Sequence, residues 1–205
     1  MRPGGLIYVV TGERGSGKST VCARVVREAA ERGLTVAGIL TERVEPGQGA
    51  SRRVVDLRSG ESRPFGAQDR SKNRGPDDRA ASAVPPASAG SSISTDPLTP
   101  GWEFDSEVFL WANEVLSRST PCDLLVVDEV GPLELLGGRG WVNALEVMRS
   151  GDFRAALVVC RPGLLTELWE RLGEAPGAVF EVSPETRGTM PGTILRGLLQ
   201  AGSGA

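Results

Sequence analysis

Gly12-Glu13-Arg14-Gly15-Ser16-Gly17-Lys18-Ser19 sets glycines, a lysine and a hydroxyl at the spacing G-x-x-x-x-G-K-[ST], directly after the apolar run Leu6 to Val10. These residue types at this spacing can hold a chain of phosphates. Glycines let successive backbone N–H groups converge on phosphate oxygens, and a helix that follows aims its positive end at the same anion. Lys18 supplies a point charge and Ser19 a hydroxyl for a divalent cation. Only Lys18 and Lys72 occur among the 23 basic residues, so arginine is the ordinary cation of this chain and the loop is where a lysine is kept. Gly12, Glu13, Arg14, Gly15, Ser16, Gly17, Lys18, Ser19 and Thr20 are therefore the expected contacts of a nucleoside triphosphate.

A second constellation closes the apolar run Leu124-Leu125-Val126-Val127 with Asp128 and Glu129. A strand of this kind is buried along its length and presents carboxylates at its C-terminal edge, where open α/β sheets bind ligands. Asp128 is expected to hold Mg2+ together with Ser19, and Glu129 to orient or deprotonate an attacking water. Lys18 and Glu129 are thus the catalytic candidates. Asp128-Glu129-Val130-Gly131 also satisfies the D-x-x-G of switch GTPases, which adds Gly131 to the nucleotide-contacting set. The N-K-x-D that reads guanine in those proteins is absent, because Lys18 follows Gly17 and Lys72 follows Ser71. An aspartate with a neighbouring glutamate instead suits the P-loop class that carries an extra strand between the loop strand and the acid-bearing strand.

The elements that must position these groups alternate along the chain. Strands are expected at Leu6 to Val10, Leu34 to Thr41, Leu124 to Asp128, Ala155 to Cys160 and Ala178 to Val182. Helices are expected at Ser16 to Arg32, Ser106 to Leu116, Gly140 to Arg149, Leu164 to Leu172 and Pro191 to Leu199. Val21, Val25 and Ala29 recur every four residues in the first helix, and Gly33 stands where its C-terminus belongs. Asp105 is a candidate N-cap for the second helix, and Pro191 suits the first turn of the last. This pattern predicts one α/β domain over 1–205 with a mostly parallel sheet flanked by helices. Val54 to Leu57 and Ser62 to Phe65, around Ser59-Gly60, read as a small inserted β-hairpin. Gly66 to Gly101, rich in Ser, Pro, Ala, Gly and charge, reads as a disordered insertion. Trp111, Trp141 and Trp169 fall on predicted helices and read as core, leaving Trp102 open.

Composition narrows the chemistry further. The chain has no histidine, so acid–base or metal chemistry on imidazole is excluded. Cys22, Cys122 and Cys160 are widely spaced and suggest neither a disulfide framework nor a metal cluster. The formal charge of −3 lacks the overall basic excess of a nucleic-acid binder, although residues 1–80 carry 15 basic and 10 acidic side chains. That imbalance reads as a solvated arginine-rich surface. No apolar stretch is long enough to span a membrane, and Leu6 to Val10 is too short for a signal-peptide core, so a cytoplasmic protein is expected. No protein partner is identifiable.

The ordered set Val10-Thr11-Gly12 into the loop, Gly38-Ile39-Leu40-Thr41-Glu42, Asp128-Glu129-Val130-Gly131 with Leu133-Glu134-Leu135, and Thr186-Arg187 resembles the cancer-related nucleoside-triphosphatase family. The resemblance covers about residues 5–65 and 101–200. It implies a RecA-like P-loop fold and hydrolysis of ATP, GTP, CTP and UTP with little base preference. It also implies Arg187 as a nucleotide-contacting residue and Glu42 as an accessory acid, while Glu134 and Arg187 each fit a structural ion pair or surface role as well. The chain departs from the family at Arg43, where a second glutamate is usual, and at Thr186, where an asparagine is usual. Expected from all this is a Mg2+-dependent nucleoside triphosphatase. The alternatives are a nucleotide or small-molecule kinase, with residues 66–79 as a lid, and a nucleotide-dependent adaptor.

Overall fold

The computed structural model describes residues 5–44, 51–68, 98, 102–173 and 177–200. In chain order its strands are β1 (Leu6–Thr11), β2 (Val36–Val44), β3 (Ser51–Asp56), β4 (Ser62–Gln68), β5 (Trp102–Phe104), β6 (Cys122–Val130), β7 (Phe153–Cys160) and β8 (Ala178–Glu181). The helices are α1 (Lys18–Glu31), α2 (Ser106–Ser117), α3 (Pro132–Leu135), α4 (Val142–Ser150), α5 (Leu165–Leu172) and α6 (Met190–Gln200).

Apolar residues occupy both phases of the central strands, so each strand feeds two cores. Ile7 and Val9 of β1, Leu125 and Val127 of β6, and Ala156 and Val158 of β7 face one core. Tyr8 and Val10, Leu124 and Val126, and Leu157 and Val159 face the other. Helices α2, α4 and α5 cover the first face, through residues such as Trp111, Ala144 and Leu168. Helices α1 and α6 cover the second, through Val21, Val25, Ile194 and Leu198. The result is a three-layer α/β/α arrangement.

The sheet runs β5-β4-β3-β2-β6-β7-β1-β8. From β2 to β8 every neighbouring pair is parallel. Strand β7 lies between loop strand β1 and acid-bearing strand β6, which is the extra strand expected of a P-loop protein with a catalytic glutamate. The fold is a P-loop, RecA-like α/β fold.

Several boundaries move for physical reasons. Helix α1 begins at Lys18 rather than Ser16, because Gly17 sits at φ +103° in the left-handed region. Strand β2 begins at Val36 rather than Leu34, and β6 runs past Asp128 to Val130. Gly140, at φ +75°, cannot enter α4, so Trp141 caps that helix instead of lying on it. Trp111 and Trp141 are buried, and Trp169 packs partly buried against the same core. The Asp105 side chain does cap α2, accepting from the Glu107 N–H at 2.9 Å.

The inserted hairpin is longer than its sequence pattern. Strand β3 pairs antiparallel with both β2 and β4, and β5 extends the ribbon by one more strand, so the hairpin continues the main sheet. Gly66, Ala67 and Gln68, expected to open a disordered insertion, belong to β4. The rest of that expectation falls outside the described residues, apart from Leu98. No helix among the described residues is long and apolar enough to cross a membrane.

One glycine controls how closely β2 lies against β6. Gly38 is at φ +105°, and a Cβ there would stand 2.0 Å from the Val126 carbonyl oxygen. Gly38→Ala is expected to destabilise the protein by at least about 2 kcal/mol, the scale of enforced backbone strain combined with a core clash. Urea unfolding of the variant beside the wild type measures it.

Candidate active site

The loop between β1 and α1 is shaped by glycines with left-handed backbone. Gly12, at φ +137°, lies where a Cβ would meet the Val182 carbonyl oxygen at 2.3 Å, so only glycine fits there. Gly17 leaves room for Arg187, whose Cδ would be 3.3 Å from an added Cβ. The Thr186-Arg187 segment is thereby packed directly against the loop. Lys18 Nζ donates to the carbonyl oxygens of Gly12 at 2.7 Å and Glu13 at 2.8 Å. Glu13, Arg14, Gly15 and Thr20 are exposed, whereas Ser16 is buried.

The two sequence motifs meet at Asp128. Its carboxylate is fully buried and accepts from the Ser19 hydroxyl at 3.3 Å and from the Thr41 backbone N–H at 3.0 Å. Burial, and then the neighbouring Glu129 charge, push the Asp128 carboxyl up to about 7, against the opposing pull of Thr41 and Ser19. Three buried hydroxyls, those of Thr11, Ser16 and Thr41, have no hydrogen-bond partner among the described residues. Thr11 ends β1, Ser16 lies in the loop, and Thr41 is the residue whose N–H holds Asp128. Buried polar groups are rarely left unpaired, so these three hydroxyls keep unused capacity for a polar partner.

Glu129 departs from strand geometry. It is the one non-glycine residue at positive φ among the described residues, at +75°. The β6–β7 register shifts between Val127 and Val130, a one-residue bulge of the kind that re-aims side chains beside active sites. Successive strand side chains ordinarily point to opposite faces. Here the charges of Glu129 and Asp128 both act on the Lys18 ammonium. Burial lowers that ammonium below its ordinary value, and the two carboxylates oppose the effect.

Two arginines that the motifs did not single out hold Glu129. Arg52 Nη1, from β3, donates to Oε2 at 2.5 Å, and Arg161 Nη2, just past β7, donates to Oε1 at 3.0 Å. Burial acts to raise the Glu129 carboxyl, but the two guanidinium groups outweigh it and hold it below the usual carboxylate range. Glu129 is therefore an ionised hydrogen-bond acceptor. From sequence, Arg161 shows only as one of three arginines near predicted element ends, with Arg139 and Arg187, and Arg52 as one of several arginines in the hairpin.

Among the described residues Glu134 makes no ion pair, and it is not a surface residue, the two structural roles its sequence suggested. It is buried, accepts from the Gly131 N–H at 2.8 Å and the Trp141 N–H at 2.9 Å, and so fastens α3 to the start of α4. Burial pushes its carboxyl up to about 7. The N–H of Gly131, one of the expected nucleotide contacts, is thus taken by Glu134. Glu42 pairs with Arg53, its register partner across the β2–β3 pairing.

A hard cation fits this donor set. Ser19 and Asp128 offer only oxygen, and no described group of three or more His, Cys, Asp or Glu could hold a metal by itself. Mg2+ is commonly held in this way, by one or two protein oxygens completed by substrate phosphates and water.

The model of a family described as NTPase matches residues 7–80. The nucleoside-triphosphatase THEP1 of Methanosarcina acetivorans is 30% identical over 149 residues, 72% of this chain and 71% of the relative. That of Methanosarcina barkeri is 27% identical over 191 residues, 92% of this chain and 95% of the relative. Among solved structures, a human cancer-related nucleoside triphosphatase aligns with TM-score 0.65 at 21% identity, covering 95% of this chain and 98% of that one. THEP1 from the hyperthermophile Aquifex aeolicus aligns with TM-score 0.63 at 18% identity, covering 94% and 99%. At these identities the structural likeness speaks for the fold.

The burial of Asp128 has a measurable cost without a cation. Its folded pKa, about 7, lies above the unfolded value, so the folded state holds a proton that the unfolded state has released. Stability from this group is full below the unfolded value, roughly 3.9, and is lost as pH rises towards 7. Asn at 128 can still accept from Thr41 and donate to the Ser19 oxygen. In EDTA, Asp128→Asn is expected to melt above the wild type at pH 8, with the gap narrowing as pH falls from 7 towards 4. Thermal melts across that range test it.

Proposed function

Because this chain belongs to the nucleoside-triphosphatase THEP1 family and is a hydrolase acting on nucleoside triphosphates, we propose that it releases the γ-phosphate by in-line attack of water in a Mg2+-dependent reaction. The observation that carries this reading is the meeting of loop and acids, with Ser19 Oγ 3.3 Å from Asp128 Oδ1 and Glu129 turned out of the strand beside them.

Each residue has a part that follows from its chemistry. Loop N–H groups and the N-terminus of α1 cradle the β- and γ-phosphates. Lys18 leaves the Gly12 and Glu13 carbonyls for those phosphates, which carry more negative charge than a pair of amide dipoles. Ser19 and Asp128 would hold Mg2+, which would neutralise phosphate charge when bound. Glu129 accepts a hydrogen bond from the water and aligns it. With its pKa held low it orients more than it deprotonates, which suits a loose transition state with little nucleophile deprotonation. The water oxygen bonds to γ-phosphorus as the bond to the β,γ-bridging oxygen breaks, leaving nucleoside diphosphate, phosphate and a released proton. Arg187, whose side chain lies against Gly17, would add charge at the loop. Without an N-K-x-D guanine reader, ATP, GTP and the other ribonucleotides are all proposed substrates.

Glu129→Gln keeps size and reach but loses the charge. Phosphate release from the four ribonucleotides should fall roughly 100- to 10,000-fold while nucleotide affinity persists. A variant turning over ATP and GTP within about threefold of wild type would remove Glu129 from the reaction. Lys18→Ala should abolish measurable hydrolysis with an unchanged circular dichroism spectrum, since its ammonium is only half-buried and bonded to nearby loop carbonyls. Chelating Mg2+ should stop the wild type, with activity returning on titration of the metal.

A further inference from the structure

Glu129 carries a guanidinium on each oxygen, which is an unusual posture for a group that must also take a hydrogen bond from water. The two arginines differ in setting. Arg52 sits on β3 beside an irregularity in the β3–β4 pairing, and its side chain is 27% exposed. Arg161 follows β7 directly, and its side chain is 52% exposed. Strand β7 lies between β1, which leads into the phosphate loop, and β6, which ends at the acids. An arginine directly after β7 therefore lies at the same end of the sheet as the phosphate loop and in contact with Glu129, within reach of a phosphoryl group that a water on Glu129 would attack. The charge of Arg161 acts on the Lys18 ammonium, as expected of two cations converging on one phosphoryl group.

We propose that Arg161 is a catalytic arginine supplied in cis: it exchanges Glu129 Oε1 for the γ-phosphate when a nucleoside triphosphate fills the loop, and this frees a carboxylate oxygen for the water. The inference rests on the reading of Glu129 as the group that handles the water. The exchange is favoured on both sides. An ion pair as exposed as Arg161–Glu129 holds weakly, whereas guanidinium–phosphate contacts are charge-assisted and can be bidentate. Arg52 keeps its hold on Oε2 throughout, so Glu129 stays ionised and fixed in direction while Oε1 becomes available. One residue thereby couples nucleotide arrival to exposure of the acceptor, and adds positive charge where the transition state concentrates negative charge. Arginines in this role in other phosphoryl-transfer enzymes contribute roughly 1,000-fold or more to turnover.

The test compares Arg161→Ala, Arg161→Lys and Glu129→Gln with their Arg161→Ala/Glu129→Gln combination, each checked for an unchanged melting temperature. Arg161→Ala should lower kcat about 100-fold or more while KM for ATP stays within about threefold, and Arg161→Lys should recover less than a tenth of the loss. ADP with fluoroaluminate, a mimic of the phosphoryl group in flight, should bind Arg161→Ala at least about 30-fold more weakly than wild type, with ADP alone unchanged. The combination separates contact with phosphate from mere positioning of Glu129. In Glu129→Gln the ion pair is already gone, so a further loss of ADP–fluoroaluminate affinity on adding Arg161→Ala reports contact with the phosphoryl group itself. If the combination binds the mimic as Glu129→Gln does, or if Arg161→Ala keeps kcat within threefold of wild type, the proposal is overturned. A wild type inactive on nucleoside triphosphates, or a fully active Glu129→Gln, would instead strike the functional reading beneath it.

Discussion

A carboxylate with no exposure to solvent is the constraint around which this end of the molecule is organised. Asp128 has one hydroxyl and one backbone N–H as partners, too little to stabilise a buried negative charge, and its pKa climbs accordingly. A cation in contact with it would reverse that cost, because the proton and the metal compete for the same oxygens. The partners come from separate elements: Ser19 from the first turn of α1, and Thr41 from β2 across the strand pairing. Asp128 therefore forces the loop helix, the acid strand and β2 into fixed relation. The Gly38 approach to Val126 is the backbone condition that lets Thr41 arrive in register.

Sheet order extends the same logic from binding to chemistry. Inserting β7 between β1 and β6 sets the loop strand and the acid-bearing strand one strand apart, and the contact between them is made by Ser19 at the start of α1. Arg161, the residue directly after β7, reaches Glu129 Oε1 at that end of the sheet. On the other side, the antiparallel ribbon β3–β5 is more than an ornament on the sheet edge. It delivers Arg52 to the second oxygen of Glu129. The positive φ of Glu129 is a strained conformation for a residue with a Cβ, and ionic contacts from two directions help hold it.

What could be read from the sequence were features whose meaning is local. The phosphate loop is contiguous, so its glycines, Lys18 and Ser19 declare themselves, and Asp128-Glu129 is marked by the apolar strand it ends. The alternation of strands and helices carried the fold class, and the resemblance through Gly38-x-x-Thr41-Glu42 pointed to the family. The structure supplies reasons for that pattern: Gly38 for closeness to β6, and the Thr41 N–H for Asp128. Hidden were features created by pairing distant segments. Arg161 shares a place near a predicted element end with Arg139 and Arg187, which marks none of the three, and Arg52 is one of several arginines in the hairpin. Only strand order brings both onto one carboxylate.

Glu134 illustrates the same limit from the opposite direction. Its place after the acids makes it look like part of the chemistry, and in sequence a glutamate in Leu133-Glu134-Leu135 carries no sign of burial. Its carboxylate instead accepts the Gly131 and Trp141 N–H groups, and the missing side chain of Gly140 makes space for it, since a Cβ there would stand 2.0 Å from Oε1. Fixing Gly131 in this way fixes the residue two positions after Glu129, at the exit of the bulge. The turn that aims Glu129 is thus held from behind by a buried hydrogen-bonded acid and from the front by two arginines. A group meant to align one water within a few tenths of an ångström needs that rigidity in its backbone. The freedom to respond to the nucleotide can then be left to the half-exposed side chain of Arg161.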